Sequence, residues 1–209
     1  MASFEELFHK NGFSQIAGVD EAGRGPLAGP VVASAVMFPR FSPVFSSTEE
    51  IRDSKSLTPK MREAKYWEII STARVGVGIV SETEIDEINI LRASLRAMRK
   101  ALLSLTATPD LVLIDGISFV ENLPLEQLPI VDGDRKVISI AAASIVAKVT
   151  RDKIMENYDR LFPQYGFSKH KGYPTPEHLK LLDQHGPSPI HRVSFGPVSR
   201  CFDKFDINS

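Results

Sequence analysis

Two adjacent acids, Asp20 and Glu21, follow a short apolar run and stand directly before a glycine-rich turn that carries Arg24. Carboxylates at the end of an apolar strand must be solvated, paired or bound to a cation. Glycines allow backbone N–H groups to approach a ligand closely, and an arginine offers donors that suit a phosphate. The stretch indicates a metal-dependent site that acts on a phosphate ester, although a solvated strand end followed by a glycine turn fits it equally well.

The same pattern, an apolar strand that delivers an acid at its carboxyl end, recurs twice. Residues 111–114 lead to Asp115, and residues 130–131 lead to Asp132 and Asp134. Ligands gather at the carboxyl ends of strands in open α/β sheets, and carboxylates that meet there repel one another unless cations lie between them. Oxygen ligands without cysteine favour Mg²⁺ or Mn²⁺, and paired metals among carboxylates carry out phosphoryl displacement. A simple strand-ending turn is the alternative for Asp115 alone, and the recurrence weakens it.

The elements that must position these acids alternate between strands and helices, which indicates an α/β fold. Strands are predicted at residues 16–20, 31–38, 75–80, 111–114 and 130–131, and helices at 58–73, 90–106 and 139–161. A turn of about ten residues without a helix joins the first two strands and suits an antiparallel pair, whereas the later helical connections suit parallel pairs. The sheet is therefore expected to be mixed. On the first helix, Met61, Ala64, Trp67 and Ile70 form the predicted stripe.

Composition narrows the class of protein. The chain has 209 residues, of which 43% are apolar and 24% charged, as in an ordinary globular protein. The single cysteine, Cys201, excludes an internal disulfide framework and a cysteine-based zinc site, and it fits a reducing compartment. The first ten residues do not form a signal peptide, and no apolar run approaches the ~20 residues that cross a bilayer. We therefore expect a soluble cytoplasmic protein.

Charge and histidine patterns leave weaker signals. The formal net charge is -1, but eight basic residues against three acids between positions 135 and 171 could form a face for a polyanion. Gly23, Gly25 and Gly29 resemble a dinucleotide fingerprint, which we reject because no helix pattern follows them. Four histidines in the tail are loosely spaced without cysteine, so we interpret them as surface residues rather than a zinc site: His170, His178, His185 and His191.

Several separate motifs, in order along nearly the whole chain, resemble the ribonuclease HII family of type 2 ribonucleases H. They lie at residues 18–32, 53–57, 113–116, 142–152, 162–178 and 191–195. The resemblance implies a ribonuclease H-like fold, with a mixed five-stranded sheet flanked by helices and a C-terminal helical extension. We expect one domain over residues 1–209, with a core at about 14–165 and a substrate-binding extension at about 166–209.

The resemblance also implies an activity: hydrolysis of the RNA strand of RNA·DNA hybrids, and incision 5′ to ribonucleotides embedded in DNA. Two metal ions, Mg²⁺ or Mn²⁺, would act in catalysis and leave 5′-phosphate and 3′-hydroxyl ends. The partner is then a hybrid or a ribonucleotide-containing duplex, and we expect a monomer. The rival interpretations are a nucleic-acid-binding module with an inactive site and a nuclease of the same fold with another substrate, such as a DNA junction.

Carried over residue by residue, the resemblance assigns nine positions. The four acids that serve as metal ligands and catalytic residues are Asp20, Glu21, Asp115 and Asp134. Asp134 is placed by its distance from the motif that begins at Ala142, and Asp132 competes with it. The substrate-binding positions are Gly23, Arg24 and Gly25, which read the ribose 2′-hydroxyl through the backbone, with Lys55 at a phosphate and Tyr173 stacked at the RNA–DNA junction.

Two positions depart from the family pattern. Ala141 follows Ile140 where the family usually has a serine before the alanines, and Val193 stands where a second arginine is common. Neither departure touches the four acids, and the second is expected to weaken a contact with the nucleic-acid backbone.

Overall fold

One five-stranded sheet organises the chain in a computed structural model, which describes residues 4–40 and 57–206, with side chains described as far as residue 201. Lys55 therefore lies outside the described residues. The strands are β1 (Ile16–Ala22), β2 (Val31–Met37), β3 (Arg74–Val80), β4 (Leu111–Asp115) and β5 (Glu126–Ile130), in the order β3-β2-β1-β4-β5.

The sheet is mixed, as predicted. The pairs β1–β2 and β2–β3 are antiparallel, whereas β1–β4 and β4–β5 are parallel. Val19 lies opposite Ile114, and Asp115 lies opposite Ile130. Because parallel strands end at the same edge of a sheet, the registers bring the carboxyl ends of β1, β4 and β5 together, where the acids were expected.

Helices cover both faces of the sheet. Those with described positions are α1 (Phe4–Lys10), α2 (Pro59–Thr72), α3 (Glu82–Ile88), α4 (Ile90–Leu103), α5 (Gly133–Lys136), α6 (Ile138–Leu161), α7 (Phe167–His170), α8 (Pro176–His185) and α9 (Gly196–Asp206). The long helices α2, α4 and α6 match the prediction closely. The sequence prediction missed α3, α5, α7 and α9, and it placed the last strand about four residues too late.

Glycines and alanines set the spacing between the sheet and its two principal helices. A Cβ at Gly18 of β1 would overlap the backbone of α6 at Ser139, and one at Gly78 of β3 would overlap the Ala97 carbonyl of α4. Alternate residues of β1 and β2 pack against α4 in one core cluster, and α6 packs against Val36 in a second cluster on the other face. The close fit of α6 brings its first turns to the end of β1.

The predicted stripe on α2 is wrong. Met61 and Trp67 are more than half exposed, whereas Ile69 is almost fully buried in the cluster on α6. The helix contacts the cluster on α6 through Ile69, with Tyr66 partly buried beside it. Trp67 instead lies on the outer side, with the Lys153 ammonium 4.8 Å from its ring centroid.

The C-terminal segment packs against the connection between β1 and β2. Ala28 shares an apolar cluster with Phe167 and Ile190, and Leu27 shares another with Leu182 and Val198. The connection is thus enclosed by residues more than 130 positions further along the chain. Whether residues 166–209 form a distinct substrate-binding extension stays a prediction. None of the helices in the described part of the chain has the length and apolar character needed to cross a membrane.

Candidate active site

The carboxyl ends of β1 and β4 bring Asp20 and Asp115 to one edge of the sheet. Asp20 is only 6% exposed, and its Oδ1 accepts a hydrogen bond of 2.7 Å from the Glu21 N–H. Burial, and next the negative charges of Glu21 and Asp115, raise the pKa of Asp20 well above its ordinary value, although a hydrogen bond with Ser144 opposes them. Three carboxyl groups therefore lie close enough to repel one another.

A short turn after β5 orients Asp115 and brings Asp134 beside it. The Gly133 N–H donates to Asp115 Oδ1 at 2.7 Å, and the Asp134 N–H lies 3.4 Å from the same oxygen. A Cβ at Gly133 would crowd Ile140 and the Asp115 carboxylate, so the position suits glycine. Asp134 is buried whereas Asp132 is exposed, which favours Asp134 as the fourth acid. Its role as a ligand stays a prediction.

Glu21 faces the turn that follows β1. Its Oε1 lies 3.1 Å from Arg24 Nη1, and the Arg24 side chain is about half exposed. Burial raises the pKa of Glu21, and the positive charge of Arg24 partly opposes that rise. An ion pair with one exposed partner contributes little to stability. The contact instead connects Glu21 to the glycine turn that follows β1.

The donor set suits a hard divalent cation. All four candidate ligands are carboxylates, and hard cations prefer oxygen ligands. A cation would also relieve the repulsion that raises the pKa of Asp20. In the part of the chain that the structure describes, no three histidine, cysteine, aspartate or glutamate side chains are already arranged as a metal site. The chemistry of the donors therefore fits such a cation, and the carboxylates would have to adjust to hold it.

A cavity of about 400 Å³ opens beside Glu21. It lies between the glycine turn, α2, α6 and Tyr173, and its lining residues are Glu21, Ala22, Gly23, Arg24, Gly25, Arg62, Ser144, Ile145, Lys148 and Tyr173. A Cβ at Gly25 would lie 3.5 Å from the Tyr173 ring, so the turn and the ring form facing walls. The structure thus brings together Glu21 and four of the predicted substrate-binding residues, whereas Asp20, Asp115 and Asp134 do not line this cavity.

Sequence reasoning missed three polar residues of the cavity: Arg62, Ser144 and Lys148. Arg62 Nη2 donates to the Leu57 carbonyl at 2.9 Å, and Lys148 Nζ lies 2.6 Å from Asp152 Oδ1. Ser144 and Lys148 are four residues apart and so lie on one face of α6, a spacing that could have revealed them. The sequence alone contains no comparable signal for Arg62.

One expectation about these basic residues is wrong, and a second is weakened. Three of the four histidines interpreted as surface residues are buried: His170, His178 and His191. Their rings pack together, with His170 and His178 centroids 4.3 Å apart, and each ring nitrogen has a partner inside the protein. The proposed basic face is also interrupted, because Arg151 is 1% exposed and Lys171 is paired with Glu156 at 2.7 Å.

The two departures from the family pattern lie in different surroundings. Ala141 is fully buried in the apolar cluster between α6 and the sheet, where a serine hydroxyl would need a partner. Val193 is 45% exposed, and its N–H donates to Asp86 Oδ2 at 2.9 Å. The structure therefore gives Val193 a backbone contact with α3, and its effect on nucleic-acid binding stays a prediction.

Comparisons with known proteins agree with this architecture. Residues 17–198 match the profile of ribonuclease HII. The chain is 51% identical over 199 residues to ribonuclease HII of Caldanaerobacter subterraneus subsp. tengcongensis. The aligned region covers 93% of this chain and 79% of that protein. The crystal structure of ribonuclease H2 from Pyrococcus horikoshii OT3 has a TM-score of 0.76 at 28% identity, covering 92% of this chain and 99% of that one. Bst-RNase HIII in complex with Mn²⁺ has a TM-score of 0.70 at 17% identity, covering 94% and 71%.

The mixed sheet with flanking helices is that of the ribonuclease H-like fold, and the chain is a ribonuclease H enzyme. More closely, it belongs to the ribonuclease HII family.

Proposed function

We propose that the chain incises duplex DNA 5′ to an embedded ribonucleotide, in addition to cleaving the RNA strand of RNA·DNA hybrids. As a member of the ribonuclease HII family it is an endoribonuclease that acts on RNA in hybrids. The observation that carries the finer proposal is the cavity in which the exposed turn around Gly25 faces Tyr173, directly beside Glu21. Such a cavity has one wall for reading a ribose and another for stacking a base.

Asp20, Glu21, Asp115 and Asp134 would hold two Mg²⁺ or Mn²⁺ ions. When bound, the cations would neutralise charge on the scissile phosphate and supply the activated water that attacks it. The protein contributes orientation: the Gly133 N–H fixes one oxygen of Asp115, and the Glu21 N–H fixes one oxygen of Asp20. Bst-RNase HIII, which shares the fold, was crystallised with Mn²⁺. The products would carry 5′-phosphate and 3′-hydroxyl ends.

The cavity walls would provide substrate recognition. Backbone groups of Gly23, Arg24 and Gly25 would contact the ribose 2′-hydroxyl, the group that separates RNA from DNA at one nucleotide. Tyr173 would stack on the neighbouring nucleotide at the junction. Arg62 of α2 and Lys148 of α6, which also line the cavity, supply positive charge for phosphates. Lys55, outside the described residues, remains a proposed phosphate contact.

The test is cleavage of a labelled DNA duplex that contains one ribonucleotide, with Mg²⁺, with Mn²⁺ and with chelator. We expect a metal-dependent nick 5′ to the ribonucleotide and no cut in the matched all-DNA duplex. Cleavage of hybrids alone would remove the junction reader from the proposal, and cleavage of all-DNA duplexes would favour a nuclease of different specificity. Binding without cleavage under any metal would favour the inactive binding module. A monomeric state and a cytoplasmic location stay predictions.

A further inference from the structure

We infer that Arg192 is a positioning residue for ribonucleotide discrimination, because its buried side chain holds the carbonyl groups of the glycine turn inward and thereby directs the N–H groups of Arg24 and Gly25 into the cavity. This inference rests on the proposed reading of the ribose by that turn. Arg192 does not line the cavity and would not touch the substrate. It would act through the backbone that does.

The contacts of Arg192 concentrate on this one turn. Its side chain is fully buried, and its backbone N–H donates to the Leu27 carbonyl at 2.8 Å. Its guanidinium donates to four carbonyl oxygens, those of Gly23 at 2.7 Å, Arg24 at 3.2 Å, Pro26 at 2.8 Å and Gly29 at 2.9 Å. A single side chain therefore fixes the orientation of four peptide groups in the connection between β1 and β2.

Peptide geometry converts these contacts into a direction for the N–H groups. The peptide unit is planar and trans, so a carbonyl and the N–H of the next residue point in opposite directions. When the Gly23 and Arg24 carbonyls point inward at Arg192, the N–H groups of Arg24 and Gly25 point outward. Both residues are exposed and line the cavity, and within the described chain neither N–H donates to a protein acceptor. Two adjacent free N–H donors form a concave site for an oxygen ligand.

The segment that carries Arg192 is itself anchored. Asp86 of α3 accepts hydrogen bonds of 2.9 Å from the N–H groups of Val193 and Ser194. The Arg192 guanidinium carbon lies 5.1 Å from the centre of the Phe195 ring. Burial lowers the pKa of Arg192 to about 9, which leaves it protonated at neutral pH. Asp86 of α3 thus anchors the segment that carries Arg192, and the Arg192 guanidinium supports the glycine turn.

Arg151 offers a matched control. It is equally buried, and its guanidinium donates to the carbonyls of Pro30 at 2.9 Å, Ala28 at 3.0 Å and Lys171 at 2.9 Å. These carbonyls belong to the returning half of the connection and to the C-terminal segment. Arg151 packs against the Cα of Gly23. It donates no hydrogen bond to the carbonyls of Gly23 or Arg24, which set the two outward N–H groups.

Lysine is the informative replacement at both positions. An arginine presents five N–H donors in a planar fork, whereas a lysine presents three donors at one point. Arg192→Lys retains the positive charge and much of the volume but cannot reach four divergent carbonyls. Arg151→Lys makes the same chemical change at an equally buried site, so both variants are expected to lose stability.

The experiment measures binding of two DNA duplexes that differ by one 2′-hydroxyl, in an Asp115→Asn background that prevents cleavage. The readout is the ratio of the two dissociation constants. The loss of one hydrogen bond to the ribose corresponds to about a tenfold smaller ratio, which we expect for Arg192→Lys. For Arg151→Lys we expect a ratio within about twofold of the background protein, since the precision of such comparisons is a few tenths of a kcal/mol.

A second readout needs no substrate. With ¹⁵N-glycine labelling, the 13 glycines of the chain give separate amide signals, and we expect Arg192→Lys to move the Gly25 signal more than Arg151→Lys does. Arg192→Gln, which keeps two N–H donors, replaces the lysine variant if the latter does not fold. A folded Arg192 variant that keeps its discrimination, an equal loss in Arg151→Lys, or failure of both Arg192 variants to fold overturns the inference. A background protein that binds both duplexes equally refutes the proposed function instead.

Discussion

Acid sensitivity of the buried histidine pair follows from the hydrogen bonds that the two rings share. His191 Nδ1 accepts from the Ser188 N–H at 2.9 Å, so its Nε2 carries the proton and donates to His178 Nε2 at 3.0 Å. His178 Nδ1 then donates to the Tyr173 carbonyl at 2.9 Å. Each ring is neutral with one defined tautomer. A proton added at His178 Nε2 would face the N–H of His191 Nε2. A proton added at His191 Nδ1 would face the Ser188 N–H.

The size of the stability loss at acidic pH follows from the pKa values of the two histidines. Burial lowers the pKa of His178 to about 4 and that of His191 to about 3, whereas both return to about 6.5 in the unfolded chain. Because the folded values are the lower ones, the stabilisation is complete above pH 6.5 and is lost as the pH falls toward 4. Between pH 7.5 and pH 5 each histidine costs ~2 kcal/mol of unfolding free energy, or ~4 kcal/mol for the pair. The neighbouring His170 and Tyr165 rings pack against this pair.

The assay is urea unfolding at several pH values between 5 and 6, with the dependence of the unfolding free energy on pH as the measured quantity. Over this range each histidine contributes a slope of ~1.2 kcal/mol per pH unit. We expect His191→Gln, which keeps an N–H donor for His178, to lower the slope by about that amount. His185→Gln is the matched control, because it makes the same substitution at an exposed histidine outside the pair. Equal slopes in the wild type and His191→Gln would refute the assignment of a neutral buried pair.

Three further predictions concern the acids, the sheet and the cavity. Asp115→Asn should abolish metal-dependent cleavage while leaving thermal stability unchanged or higher, since it removes a negative charge near Asp20; cleavage assays and melting curves check this, and full activity would contradict it. Gly18→Ala should lower the unfolding free energy by ~2 kcal/mol or more, because its Cβ would overlap the backbone of α6. Denaturant titrations measure this loss. Gly196→Ala is the control and should change the unfolding free energy little, because a Cβ there meets only the flexible end of Arg200. Tyr173→Phe should reduce activity or ribonucleotide preference, because the substitution removes the hydroxyl and keeps only the stacking ring. Unchanged discrimination between matched duplexes would exclude Tyr173 as a reader of the ribonucleotide.

The inner part of the site could be predicted from the sequence because it follows from local patterns. An apolar run that ends in an acid predicts both a strand and the position of the carboxylate, and parallel pairing then brings Asp20 and Asp115 to one edge. Helix starts were equally local: the Thr58 hydroxyl accepts from the Met61 N–H at the start of α2, as its sequence indicates. The short helix α5 was missed because its four residues contain no apolar period, although it brings the Asp134 N–H against Asp115.

The support of the glycine turn in the outer part could not be predicted, because it depends on charged residues whose partners are distant backbone groups. Arg192 reaches Gly23 across 169 positions, and Arg151 reaches Pro30 across 121. The count of basic residues between positions 135 and 171 treats Arg151 as surface charge and does not include Arg192. A turn that offers its N–H groups to a ligand must, however, satisfy its carbonyls with donors from elsewhere. An arginine is suited to this task, because one side chain supplies several donors in fixed directions. In a chain with an exposed glycine turn beside its acids, a buried arginine far along the sequence is therefore a physical requirement. The motifs at 142–152 and 191–195 contain Arg151 and Arg192, but nothing in those motifs indicates that the two side chains are buried or which carbonyls they contact.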